Sequence, residues 1–100
     1  DVVSVKDMGF MFYRSAFNGD ISDWDVCHVE NMKGMFEESK FDGDISKWDV
    51  GNVTNMTNMF ERSPFNCDIS SWNVDNVRQM NWMFNGCPLE NNPPKWYKSL

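Results

Sequence analysis

Apolar residues recur at one fixed interval along this chain. Ile21, Ile45 and Ile69 lie 24 residues apart, and so do Trp24, Trp48, Trp72 and Trp96. Val2, Val26, Val50 and Val74 keep that interval, as do Val5, Val29, Val53 and Val77. All eight methionines fall in two columns, Met8-Met32-Met56-Met80 and Met11-Met35-Met59-Met83. Phe12, Phe36, Phe60 and Phe84 form a further column, and Phe17, Phe41 and Phe65 another that Leu89 closes. A 24-residue unit is too small to bury its own apolar face, so the copies must stack and share a core.

The period changes within each unit. In segment 55–63, Met56, Met59 and Phe60 stand at i, i+3 and i+4, which predicts a short helix. Asn52 or Thr54 would cap it, and Pro64 suits a chain leaving it. Segment 44–50 is β-branched and aromatic between Gly43 and Gly51, which predicts a short strand or extended run. Phe41-Asp42-Gly43-Asp44 has the composition of a tight turn. The expected fold class is an α/β repeat solenoid, leucine-rich-repeat-like, with four stacked 24-residue coils, each with a short strand and a short helix. Residues 1–88 are assigned to tandem repeats, entered in mid-repeat, and residues 89–100 to a C-terminal capping segment. Pro88, Pro93 and Pro94 withhold N–H groups that another coil would pair with, and Trp96 leads into Tyr97-Lys98-Ser99-Leu100. Further repeats or another domain are expected upstream of residue 1.

Charge removes one class of partner. Lys and Arg number 9 against 15 Asp and Glu, a net charge of −6 with no basic stripe, so no nucleic-acid partner is expected. No apolar run approaches a membrane span, and no direct membrane insertion is expected. The three cysteines, Cys27, Cys67 and Cys87, follow no repeat position and no CxxC spacing, which speaks against a disulfide framework or a zinc site.

Candidate chemistry is sparse. His28 is the sole histidine, in a column with Ser4, Asn52 and Asn76, and a triad or metal centre needs partners converging on it. No catalytic residue, cofactor or metal ligand is assigned, and the chain is read as no enzyme. Asp20, Asp44 and Asp68 form an acidic column, and Asp25, Asp49 and Asn73 another. Calcium between rungs would relieve their repulsion. The competing reading, side chains capping backbone N–H groups of their own turns, fits better the missing Gly-Asp spacing of calcium-binding repeats. Asn52-Val53-Thr54 and Asn55-Met56-Thr57 match the glycosylation sequon but arise from the repeat consensus.

Function belongs where the repeat leaves a residue free to vary. One such column is Asp23, Lys47, Ser71 and Lys95; another is Phe10, Gly34, Asn58 and Trp82, next to Tyr13, Glu37, Glu61 and Asn85. The possible binding surface is therefore Phe10, Tyr13, Asp23, Lys47, Asn58, Ser71 and Trp82, with the off-ladder aromatics Phe10 and Trp82 as anchors. Each has a plainer account: Phe10 packing on an upstream repeat, Trp82 packing on the tail near Trp96 and Tyr97.

The string running from Phe41 through Asp44-Ile45-Ser46-Lys47-Trp48-Asp49-Val50 to Asn55-Met56-Thr57-Asn58-Met59-Phe60 resembles the BspA-like bacterial surface-protein repeat family, which is leucine-rich-repeat-related. The resemblance spans residues 1–96 and departs at Cys27-His28, Cys67 and Arg78-Gln79. It implies a solenoid on cell-surface or secreted proteins, often linked to adhesion or host interaction, and it supplies no catalytic residue. The expected function is a non-enzymatic repeat module presenting a surface for a protein or glycan ligand, at a cell surface or secreted. The alternative is a structural spacer or scaffold within a larger assembly, internal to a particle or cytoplasmic. The free cysteines favour that alternative.

Overall fold

The computed structural model describes residues 5–97. Val2 and Ser4 of the columns, and Lys98-Ser99-Leu100 of the assigned cap, lie outside the described residues.

The α/β solenoid with a strand and a helix in each coil is not what the chain forms. Among the described residues, the one helix is a 3₁₀ helix over Pro88–Asn91. Extended pairing is limited to isolated parallel bridges, Asp7 to Asn31, Asn31 to Asn55 and Asn55 to Gln79. The body is compact, 34 × 30 × 19 Å with a radius of gyration of 12.1 Å.

The helix fails because its N–H groups are shared between two destinations. Met32, Gly34, Phe36 and Glu38 donate to the carbonyls of Asn55, Thr57, Met59 and Glu61 in the next repeat, at 2.8–2.9 Å. The residues between them turn back instead: Met35 to Met32, Glu37 to Gly34 and Ser39 to Phe36, at 3.1–3.2 Å. An α-helix returns every N–H four residues back along its own chain and keeps none for a neighbour. Left-handed backbone enforces the alternation, with φ of +61° at Gly34, +55° at Glu38, +60° at Asn58 and +57° at Arg62. Such residues cannot continue a right-handed helix; at the third place of a four-residue turn they suit a type II geometry. The i, i+3, i+4 spacing still does its work, because Met56, Met59 and Phe60 are all fully buried.

The strand fails for a different reason. Asp44 accepts the N–H of Ser46 at 2.9 Å and Asp49 that of Gly51 at 3.0 Å, while Trp48 N–H closes back on the Ile45 carbonyl. Donors satisfied inside the turn are unavailable to a ladder. The same turns recur at Asp20, Asp68, Asp25 and Asn73.

Packing between repeats is in 24-residue register. Phe36 stacks on Phe60 at 5.6 Å and 2°, and Phe60 on Phe84 at 5.9 Å and 5°. Three of the four ladder tryptophans also reach back one repeat: Trp48 Nε1–H donates to the Ile21 carbonyl at 3.1 Å, Trp72 to Ile45 at 3.1 Å and Trp96 to Ile69 at 3.0 Å. The core thus joins stacked rings to satisfied indoles. At the C-terminal end Leu89 is buried, Cys87 Sγ–H donates to the Phe65 carbonyl at 3.0 Å, and Trp96 stacks on Trp72 at 6.4 Å.

Candidate binding surface

The backbone explains which side chains the turn ribbon displays. Phe10 and Trp82 occupy the same left-handed position as Gly34 and Asn58, with φ of +58° and +62°. A residue with a Cβ pays roughly 1–2 kcal/mol there, and only Gly and Asn adopt the conformation readily. The column that varies along the sequence is therefore restricted by its backbone. Phe10 and Trp82 are the exceptions, and both are exposed, at 47% and 61%.

Phe10 is held from two sides. Its ring meets Tyr13 edge-on at 5.6 Å and 82°, and the Arg14 guanidinium lies 5.1 Å from the Tyr13 ring centre. It also covers Gly34 of the next repeat, where an added Cβ would stand 2.4 Å from Phe10 Cε1. Gly34 is thus required both by its φ and by the ring above it. Asn58, one repeat on, donates from its amide to Glu61, whose other carboxylate oxygen accepts from Asn85 Nδ2 at 3.1 Å.

Of the two tail rings expected near Trp82, Trp96 belongs to the Trp72 ladder, while Trp82 shares a recess with Tyr97. It lines a cavity of about 270 Å³ together with Phe84, Asn85, Glu90 and Tyr97. Phe84 forms a floor, 1% exposed, with Tyr97 edge-on to it at 5.0 Å and 76°.

The remaining assigned residues lie elsewhere. Asp23 and Lys47 share a second recess with Ser22 and Asp44, and Ser71 is exposed. The structure therefore groups Phe10 with Tyr13 and Asp23 with Lys47, and gives Trp82 a recess of its own.

An ion strip was missed by reasoning from the free columns alone. Glu38 accepts Arg14 Nε–H at 3.2 Å and faces an Arg62 guanidinium nitrogen at 3.8 Å. Its signal was present as Arg, Glu, Arg at 24-residue intervals. Exposed pairs of this kind contribute little stability singly. Beside the strip, burial and the neighbouring carboxylates of Glu61 and Glu38 hold the Glu37 carboxyl above its ordinary value. Tyr97 was named only as a neighbour of Trp82 in the tail, and Glu90 was missed, because it sits where the repeat pattern has decayed.

The acidic columns act as turn caps. Backbone N–H groups of Ser22, Ser46 and Ser70, followed by the serine hydroxyls, hold Asp20, Asp44 and Asp68 below the ordinary carboxylate range. Among the described residues, no three His, Cys, Asp or Glu converge on a point where a metal ion would sit. The thiols are shifted upward, Cys27 by its contact with the Asp25 carboxylate, Cys67 and Cys87 by burial. Asn52 of the first sequon spends its amide on the Cys27 carbonyl at 2.7 Å.

No curated protein and no solved structure matches the chain. A family model described as "Mycoplasma protein of unknown function, DUF285" matches residues 1–96. With nearly the whole length covered, the chain belongs to that family.

Proposed function

We propose that this chain is a non-enzymatic, BspA-like binding module whose turn ribbon contacts a protein or glycan ligand in adhesion or host interaction at a cell surface. The observation that carries the reading is the placement of Phe10 and Trp82. Each combines an exposed aromatic ring with a backbone conformation that disfavours it, and local strain of that kind gathers at functional positions. Exposed aromatics also supply much of the energy of known interfaces. The double variant F10N/W82N keeps the left-handed turns and removes both rings. The expected result is at least tenfold weaker adhesion to host cells or an arrayed glycan panel, with an unchanged fold by circular dichroism. Unchanged adhesion by the folded variant would refute the reading.

A spacer role has its own support in the repeated backbone bonding between units, which suits a rigid stack. Complete protection of Lys47 and Lys95 from biotin on intact cells or particles would favour that role over adhesion.

A further inference from the structure

We propose that the cavity lined by Trp82, Phe84, Asn85, Glu90 and Tyr97 takes a quaternary ammonium group, as borne by choline or by a choline headgroup. The site rests on the reading above to the extent that Trp82 is a binding residue, but it names a ligand chemistry that reading leaves open.

The inference begins with the rings. Aromatic faces carry negative charge density and attract cations within about 6 Å of the ring centre. Here an exposed indole and the Tyr97 phenol border a recess floored by Phe84. A ring site alone would also suit a neutral sugar, so the polar groups decide the matter.

Among those groups one anion is fixed in place with no cation beside it. Asn85 commits one Nδ2 hydrogen to Glu61, which orients the amide and leaves its Oδ1 as an acceptor beside the second hydrogen. Glu90 accepts the Gly86 N–H through Oε1 at 2.9 Å, which fixes the carboxylate and leaves Oε2 and the full negative charge uncommitted to that bond. No Lys or Arg lines the cavity among the described residues. A neutral polyol draws nothing from an unopposed carboxylate charge. An aromatic recess with a fixed carboxylate and a free carbonyl oxygen suits a cation that donates nothing and is large enough to touch several rings. The chain's net charge of −6 adds a favourable field.

Size allows this. At about 270 Å³ the cavity has room for a headgroup. The backbone supplies a further reason for the indole's position. At +62° in φ, Trp82 projects from a left-handed turn that the same position in the neighbouring repeat fills with Asn58.

The test is a titration of the full chain with choline chloride, following the indole N–H resonance of Trp82 by NMR. Its neutral isostere 3,3-dimethylbutan-1-ol serves as control. A saturable shift with choline, and a response at least about tenfold weaker to the alcohol, is expected. E90Q keeps the oxygen that accepts from Gly86 and deletes the charge, so choline affinity should fall by about tenfold while the spectrum otherwise stays native. Equal binding of choline and the alcohol, no loss in E90Q, or no saturable choline shift would each overturn the site. Phosphatidylcholine vesicles separate the sources. Co-sedimentation that free choline competes away identifies the headgroup, whereas choline binding without vesicle binding identifies a soluble ligand. Cell adhesion is read separately. Adhesion that depends on Trp82 without choline binding sinks this site and spares the broader reading, and the converse result does the reverse.

Discussion

Phe60 and Trp82 lie on the same kind of turn ribbon, two columns apart in the repeat, and meet opposite fates. Phe60 is fully buried, stacked on Phe36 and Phe84, and invariant through its column. Trp82 is 61% exposed on a left-handed residue, in a column that changes with every repeat. Invariance at the first position reflects ring-on-ring packing, which tolerates no other shape. Variation at the second does not reflect freedom, because Gly34 and Asn58 are the two residue types that the backbone prefers. Constraint and sequence identity are therefore separate quantities in this repeat.

The largest effect should come from breaking the buried side of that comparison. Phe60→Ala removes a ring packed by neighbours on both sides and should cost about 4 kcal/mol in urea unfolding. Phe12→Ala removes the equivalent ring in the first described repeat. There Phe12 is only half-buried, and Met11 of that repeat is 43% exposed where Met35, Met59 and Met83 are at 0%. Its cost should be clearly smaller. Equal costs at the two sites would mean that stability does not come from repeat-on-repeat packing.

What could be read from the sequence divides along the same line. The core was legible, since columns of Ile, Trp, Val, Met and Phe name almost all of its buried residues, and the Asp columns read as turn caps from their spacing. The backbone was not legible. Met56, Met59 and Phe60 share one face whether the chain is a helix or a run of linked turns, so apolar spacing cannot tell the two apart. The distinguishing signal lay in Gly34, Asn58 and Gly86, residues suited to positive φ at positions where a helix would forbid it. Segment 44–50 reads as a strand by composition, yet Asp44 and Asp49 capture the N–H groups that a ladder would need. At the candidate surface, Phe10 and Trp82 stood out because no column explained them. The recess beside Trp82 was only half legible: Tyr97 was placed near it through Trp96, but nothing in the columns points to Glu90.

A middle-sized effect of opposite sign should appear on the exposed side. Trp82→Asn replaces a strained residue with one that accepts left-handed backbone, and the ring it removes is 61% exposed. Stability should rise by about 1 kcal/mol, seen as a higher urea midpoint with an unchanged slope. Phe10→Asn should gain less, because it also loses the contacts with Tyr13 and Gly34. A lower midpoint for Trp82→Asn would show that the indole stabilises the fold and would remove the argument from strain.

The smallest effect concerns the exposed caps, which are constant along the chain yet buried nowhere. Asp44 is held below its ordinary value of 3.8 chiefly by the Ser46 N–H, then by the Ser46 hydroxyl. An acid depressed in the folded state contributes stability above its unfolded value and loses it as pH falls through the folded one. Glu37, raised by burial, works in the opposite sense and favours the folded state in its protonated form. Asp44→Asn should keep the cap, as Asn73 does for the Asp75 N–H at 3.0 Å, while removing the titration. Urea midpoints of the two proteins should therefore run close together near neutrality and draw apart below pH 3.8, with the parent falling more steeply. Parallel curves through that range would mean that the hydrogen bond, and not the charge it stabilises, is all that the cap provides. Asp and Asn would then be interchangeable at this cap, as they already are in the other acidic column, where Asn73 stands in line with Asp25 and Asp49.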